Sequence, residues 1–214
     1  MDRILSLALV IFTILSCSGQ ESDDNNTTRT LIGNCEGCEA VFEFNGRPLN
    51  ATDTLPGFEN EGTKIKISGT IYEQDGETPA SDVVMYVYHT NQKGIYEPKP
   101  SSEGWEKRHG YIRGWVKTDS EGHYEFYTLK PGHYPNRKTP AHIHPIILEP
   151  DGKYYWVGSY FFSDDPHLTS EMKNNKNPRC GSDGILQLTD ADQDGILEGH
   201  RDFVLGKNIS EYPN

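Results

Sequence analysis

The chain has 214 residues, enough for one folded domain and a terminal extension. Its formal net charge is −12, with 20 lysine and arginine residues against 32 aspartate and glutamate residues. Because no basic surface is available to displace counterions from phosphates, this composition argues against nucleic-acid binding. It also disfavours strongly anionic substrates unless a local basic patch attracts them.

The first 17 residues predict a bacterial lipoprotein signal peptide. Residues 4–15 are almost entirely apolar, but this stretch is too short to span a bilayer. The ending Leu15-Ser16-Cys17 is similar to a lipobox, which predicts that Cys17 is lipidated and anchors the protein to the membrane. Ser18 at the next position predicts an extracytoplasmic protein on the outer membrane. The alternative is an ordinary cleaved signal with a free cysteine.

Composition divides the rest of the chain into three predicted parts. Residues 18–33 are small and polar, which is typical of a solvated, flexible tether. Residues 34–62 form an N-terminal arm. Strand patterns within residues 63–209 predict the folded domain.

Three cysteines remain if Cys17 carries lipid, and an oxidising compartment favours a disulfide among them. We expect Cys180 to pair with Cys35 or Cys38 and to pin the arm to the domain, which leaves one thiol over. A redox-active pair of Cys35 and Cys38 is the alternative, but no strand-then-helix pattern surrounds these residues.

Hydrophobic periodicity in residues 63–209 predicts strands and almost no helix. Residues 64–71 alternate polar and apolar side chains, and residues 83–88 are a continuous run of strand-forming residues. Predicted hairpins join residues 111–117 to 123–128 and residues 141–148 to 154–162, and a last strand covers 202–205. This spacing predicts an all-β fold, an antiparallel β-sandwich with long loops such as residues 97–109.

His142 and His144 are the most informative residues for function. Residues two apart on a strand point to the same face, so both imidazoles can bind one metal ion. Tyr134 precedes His142 by eight residues, and Tyr96 follows an earlier apolar strand. Ionising a phenol at pH 7 costs about 4 kcal/mol, and Fe(III) suits paired phenolates better than zinc does. If both tyrosines are ligands, the set predicts non-haem Fe(III); otherwise the histidines are surface or hydrogen-bonded strand residues.

Several segments follow one another in a recognisable order. They are Ile67-Ser68-Gly69-Thr70-Ile71, Val83-Val84-Met85-Tyr86-Val87-Tyr88, Gly94-Ile95-Tyr96, His133-Tyr134-Pro135, Pro140-Ala141-His142-Ile143-His144 and Phe161-Phe162-Ser163-Asp164-Asp165-Pro166. Over about residues 63–209, this order resembles the intradiol ring-cleavage dioxygenases.

The resemblance implies a compact, lipid-anchored version of that family. It implies Fe(III) held by Tyr96, Tyr134, His142 and His144, with a catechol-like aromatic and O2 as substrates. Tyr134 would be the ligand that a catechol displaces, which helps to deprotonate the substrate. The ring would open between its two hydroxyl-bearing carbons and give a muconate-type diacid.

Two positions depart from the pattern of the family. Thr139 stands where an arginine is usual, and Ser159 stands where a glutamine is usual. Such side chains stabilise charge on a substrate or intermediate. We expect Thr139 and Ser159, together with the nearby Arg137, to contribute to substrate binding, and the identity of the catechol stays open.

A second metal site is possible at Asp190, Asp192 and Asp194, which match the beginning of a calcium-binding loop. The twelfth position is Arg201 rather than glutamate, although Glu198 could serve in a shorter loop. The alternative is a polar turn before the last strand.

Two other functions are compatible with the sequence. Residues 68–84 also resemble transthyretin-like (prealbumin-like) sandwiches, which implies that fold and an extracytoplasmic binding module without ring cleavage. A catecholate-iron binder would keep the metal site and lack the reaction. Metal content and oxygen uptake would separate these functions from a dioxygenase.

Overall fold

The computed structural model describes residues 28–213. The predicted signal peptide, the lipidation site Cys17 and tether residues 18–27 lie outside the described residues. Within residues 28–213, no helix combines the length and the apolar character that crossing a bilayer requires.

The described part of the chain is mostly β. In chain order the strands are β1 (Thr30–Leu31), β2 (Thr52–Thr54), β3 (Lys64–Tyr72), β4 (Val84–His89), β5 (Arg113–Lys117), β6 (His123–Leu129), β7 (His142–Leu148), β8 (Lys153–Trp156), β9 (Tyr160–Phe162), β10 (Ile185–Leu186), β11 (Leu197–His200) and β12 (Phe203–Val204). The helices are α1 (Glu106–His109) and α2 (Ser170–Lys173), and 3-10 segments cover Cys38–Phe42 and Arg179–Gly181. The prediction of many short strands and little helix is confirmed.

Two sheets carry the fold. The first has the order β1-β8-β7-β4-β5, with β9 beside β7 and β10 beside β9; the second has the order β11-β3-β6-β2, with β12 also beside β3. The expectation of an antiparallel sandwich is met only in part. The pairs β3–β6, β4–β5, β4–β7, β7–β8 and β7–β9 are antiparallel, whereas β1, β2, β10, β11 and β12 pair in parallel with their neighbours. These strands are short and are reached by long connections, which is the arrangement that parallel pairing requires.

One of the two predicted hairpins is wrong. β5 pairs with β4 in the first sheet, whereas β6 pairs with β3 in the second, so the turn at residues 119–122 crosses between sheets. Thr118 stabilises the crossing, because its hydroxyl accepts the N–H of Val83 and donates to the carbonyl of Ala80. The other hairpin is confirmed, since β7 pairs antiparallel with β8.

The main core lies between the two sheets. Ile65 and Ile67 alternate with polar residues along β3 and are fully buried, as the period-2 pattern predicts. Ile143 of β7 belongs to the same cluster. Because side chains alternate along a strand, burial of Ile143 directs His142 and His144 to the outer face of the first sheet.

The N-terminal arm covers part of that outer face. Cys38 and Val41 are fully buried in a second cluster with Trp115, whose indole N–H donates to the carbonyl of Val41 at 3.0 Å. Part of the predicted tether is also ordered, since β1 pairs with β8 and Ile32 is buried. The arm is therefore an integral layer of the domain.

The disulfide prediction is wrong. Cys35 pairs with Cys38, and Cys180 is a buried free thiol. Cys180 packs in the core between the sheets, whereas Cys38 packs on the outer face of the first sheet. Because the sheet separates them, packing and hydrogen bonds hold the arm in place of the expected cross-link.

Candidate metal and substrate site

The candidate histidines lie at the beginning of β7. The register pairs His144 with Tyr88 of β4. Directly opposite residues share a face of the sheet, and the two rings stack with centroids 4.7 Å apart and an interplanar angle of 14°. The neighbouring strand therefore sets the orientation of the His144 imidazole.

The candidate tyrosines come from two loops that touch each other. Gly94 has a φ of 76°, and a Cβ there would lie 2.0 Å from the carbonyl oxygen of His133. A Cβ at Gly132 would lie 2.2 Å from a carbonyl oxygen of the other loop. Glycine permits this close approach of two backbones, which places Tyr96 and Tyr134 side by side.

Four donor atoms converge at one point. The hydroxyls of Tyr96 and Tyr134 are 2.8 Å apart. The Tyr134 hydroxyl lies 3.3 Å from Nε2 of His142, and the Tyr96 hydroxyl lies 2.9 Å from Nε2 of His144. No three histidine, cysteine or acidic side chains of the described residues are grouped to hold a metal ion. A metal site at this point therefore depends on the two phenols.

The protonation states suit metal binding. Nδ1 of His142 lies 2.7 Å from the carbonyl of Pro140, which can only accept, so Nδ1 carries the proton and the lone pair of Nε2 faces the tyrosines. Burial lowers the pKa of His142 and of His144, and the neighbouring histidines lower the latter further. Burial and the hydrogen bond to Tyr134 raise the pKa of Tyr96. Its phenol therefore ionises only beside a strong positive charge.

A cavity of about 320 Å³ opens beside Tyr96, Tyr134 and His144. This volume lies near the lower end of the range for small-molecule sites, roughly 300–1,000 Å³. The cavity is lined by Glu36, Tyr88, Tyr96, Trp105, Arg108, His109, Tyr134 and His144. A small aromatic bound there can contact both tyrosines.

His109 forms part of the cavity wall. Its ring stacks on Tyr88 with centroids 3.8 Å apart, and the hydroxyl of Tyr86 lies 3.0 Å from its Nδ1. Burial, assisted by nearby arginines, lowers the pKa of His109 to about 4. The ring of His109 is buried because α1 carries it inward. In the sequence, only the long loop at residues 97–109 indicated that this segment contributes to a functional site.

The residues predicted for substrate binding do not line the cavity. Arg137 is exposed and Thr139 is half-buried. Ser159 is buried, and its carbonyl accepts a hydrogen bond from Nη1 of Arg201 at 3.1 Å. Side chains from the arm and α1 line the cavity instead, and the sequence does not show that these segments meet.

The three aspartates of the predicted calcium loop lie in an exposed turn before β11. Oδ1 of Asp194 accepts the N–H of Ile196 at 2.8 Å, which is an ordinary turn contact. Calcium binding at Asp190, Asp192 and Asp194 is not supported, because residues 28–213 contain no group of three such ligands around a common point.

A family model described as dioxygenase matches residues 41–205. The chain belongs to the intradiol ring-cleavage dioxygenases. Over 148 residues it is 28% identical to the protocatechuate 3,4-dioxygenase beta chain of Burkholderia cepacia, a match covering 65% of this chain and 60% of that protein. Over 110 residues it is 30% identical to catechol 1,2-dioxygenase 1 of Acinetobacter lwoffii, covering 42% of this chain and 33% of that protein.

Matches to these relatives therefore span no more than 60% of their length. The fold of this intradiol family member is similar to that of the intradiol ring-cleavage dioxygenase from Tetranychus urticae, with a TM-score of 0.52 and 19% identity. That similarity covers 78% of this chain and 88% of the Tetranychus urticae protein.

Proposed function

We propose that the protein is an Fe(III)-dependent intradiol dioxygenase that cleaves a catechol-type ring with O2 to a muconate-type diacid. The observation that supports it is the convergence of the Tyr96 and Tyr134 hydroxyls with Nε2 of His142 and His144. Two phenolates and two neutral imidazoles carry a charge of −2, which suits a hard trivalent cation. The chemistry that bound Fe(III) supplies is withdrawal of electron density from the catecholate, which makes its ring reactive toward O2.

Tyr134 is the residue to which we assign proton transfer. By its position in the family pattern, Tyr134 is the ligand that a catechol would displace. Its ring packs on those of Tyr96 and His142, with centroids 6.0 and 5.3 Å away. When a catechol binds, the phenolate oxygen of Tyr134 would accept the proton of one catechol hydroxyl and become a neutral phenol.

The other site residues keep the binding geometry fixed. The stacked rings of Tyr88 and His144 resist rotation, and the hydrogen bond to Pro140 holds His142 in one tautomer. Because the imidazoles are already oriented, their side chains do not have to reorganise during the reaction. Arg137, Thr139 and Ser159 stay predicted contributors to substrate binding, although they do not line the cavity.

Colour tests the metal site. The iron-loaded protein is expected to be burgundy from phenolate-to-iron charge transfer, and Tyr134→Phe is expected to weaken and shift that absorption and to abolish oxygen uptake. Tyr127→Phe is the matched control, because this half-buried tyrosine of β6 does not line the cavity. A colourless iron-loaded protein, or an unchanged spectrum in Tyr134→Phe, would overturn the assignment.

Oxygen uptake separates cleavage from binding. The protein is loaded with catechol under nitrogen, the spectrum is recorded, and oxygen is then admitted. Ring cleavage consumes an equimolar amount of O2 and releases a diacid. A catecholate-iron binder would keep the coloured complex and consume none, and family membership does not favour a transthyretin-like binding module without a metal.

We also propose that the protein works outside the cytoplasm as a lipoprotein anchored to the outer membrane. The lipobox-like ending at Cys17 and a disulfide in the arm support this location, since disulfides persist in oxidising compartments. Labelled fatty acid should enter the wild-type protein in cells and should not enter Cys17→Ser. Recovery of unlabelled wild-type protein in the soluble fraction would refute the anchor.

A further inference from the structure

One pair of opposite charges stands at the rim of the cavity. Nη1 of Arg108 donates to Oε1 of Glu36 at 2.5 Å, and the side chains are 62% and 72% exposed. The remaining residues around the cavity are phenols, imidazoles and an indole, none of which carries a fixed charge. Removing the charge of either Glu36 or Arg108 would therefore leave the rim with a net charge.

The disulfide loop Cys35–Cys38 holds Glu36 at the rim. Gly37 has a φ of 85°, and a Cβ there would lie 2.7 Å from Nε2 of His109, so the backbone of the loop lies directly against the cavity wall. Cys38 is fully buried beside the outer face of the first sheet. The loop is thus fastened at its buried end and closed by the disulfide, which restricts the positions open to Glu36.

The same arm also holds the segment that carries Arg108. Oε1 of Glu43 accepts the backbone N–H of Trp105 at 2.9 Å, immediately before α1. Oε2 of Glu43 accepts Nη1 of Arg113 at 2.5 Å. The arm therefore positions both members of the charge pair, one directly and the other through α1.

We propose that the Cys35–Cys38 loop determines substrate specificity and that the Glu36–Arg108 pair selects catechols without a charged ring substituent. This inference rests on the proposed function. Because Glu36 and Arg108 neutralise each other, a charged ring substituent at the rim would lose hydration without meeting an unpaired charge of opposite sign. An uncharged single ring leaves the pair intact and suits a cavity of about 320 Å³.

Binding under nitrogen to the full-length, iron-loaded protein tests the proposal. The probes are catechol, 3,4-dihydroxybenzoate and dopamine, which carry ring substituents of no charge, negative charge and positive charge. Dissociation constants come from the visible spectrum and from tryptophan fluorescence, since Trp105 lines the cavity. The wild type should bind catechol more tightly than either charged probe.

Two charge-removing variants should change the preference in opposite directions. Glu36→Gln leaves Arg108 unpaired, so the affinity for 3,4-dihydroxybenzoate relative to catechol should rise by roughly two- to fivefold, the range that one exposed ion pair supplies. Arg108→Gln leaves Glu36 unpaired and should raise the relative affinity for dopamine by a similar factor. Glu59→Gln is the control, because it removes the same charge from an exposed pair with Lys64 that does not line the cavity.

The outcomes distinguish this inference from the proposed function. If catechol fails to bind the iron-loaded wild type, the proposed function fails. If catechol binds but Glu36→Gln keeps the wild-type ratio, or Glu59→Gln changes it equally, the inference fails and the proposed function stands.

Removing the disulfide tests the role of the Cys35–Cys38 loop in specificity separately from that of the charge pair. Cys35→Ser removes the disulfide but keeps the buried Cys38 side chain in place. The freed loop should let Glu36 leave the rim and should change the ratio in the same direction as Glu36→Gln. A folded Cys35→Ser protein, verified by circular dichroism, with the wild-type ratio would show that the loop does not set specificity.

Discussion

Replacing Gly94 by alanine should separate the two tyrosine loops. Gly94 has a φ of 76°, and an added Cβ would lie 2.0 Å from the carbonyl oxygen of His133. Ordinary contact begins at 3.4 Å, so the loops must move apart by 3.4 − 2.0 = 1.4 Å. Tolerances on metal–ligand distances are about 0.2 Å. A displacement of this size therefore removes Tyr134 or Tyr96 from a common metal ion.

Gly46→Ala is the matched control. Gly46 has a φ of 70°, and a Cβ there would meet nothing within 4 Å. Both variants incur the left-handed backbone penalty of about 1 kcal/mol. Gly94→Ala adds an overpacking cost of about 1–3 kcal/mol. The free energy of unfolding should fall by about 1 kcal/mol in Gly46→Ala and by about 2–4 kcal/mol in Gly94→Ala.

Urea unfolding of the metal-free proteins measures the stability difference. Iron content and the phenolate-to-iron absorption then measure the site. Gly46→Ala should keep the iron content and the absorption of the wild type. Gly94→Ala should lose most of the phenolate-to-iron absorption at a urea concentration at which the variant is still folded. Equal iron affinity and equal spectra for the two variants would refute the claim that this close approach assembles the site.

Other predictions address the core and pH. Burial lowers the pKa of His89 to about 4 from an unfolded value of 6.5. The unfolded protein therefore binds a proton at His89 before the folded protein does, and the free energy of unfolding should fall by about 3 kcal/mol as the pH falls from 6.5 to 4. The free energy of unfolding of His89→Gln should depend less on pH between these values. Ile67→Ala should lower the free energy of unfolding by about 2–5 kcal/mol through a core cavity and leave the iron spectrum of the folded protein unchanged. Burial raises the pKa of Cys180 to about 12, so in a Cys17→Ser protein a thiol reagent should label Cys180 only in denaturant; rapid labelling of the native protein would contradict its burial.

Local patterns in the sequence predicted the parts of the molecule that depend on near neighbours. The alternation in β3 and the continuous apolar run in β4 identified these strands, because side chains alternate between two faces. The two-residue spacing of His142 and His144 placed both on one face for the same reason. Turn residues did not reveal the sheet to which each strand belongs, so the hairpin prediction failed at residues 119–122.

The chain by itself determined the family, the mostly β character and four residues that the fold brings to one point. Only the tertiary structure decided the disulfide, the buried state of His109 and the side chains around the cavity. Cys35 and Cys38 are only three residues apart, but the burial of His109 and the lining of the cavity depend on contacts between the arm and α1, which are far apart in the chain. No periodicity encodes such a contact, because it arises when both segments pack on the outer face of the same sheet.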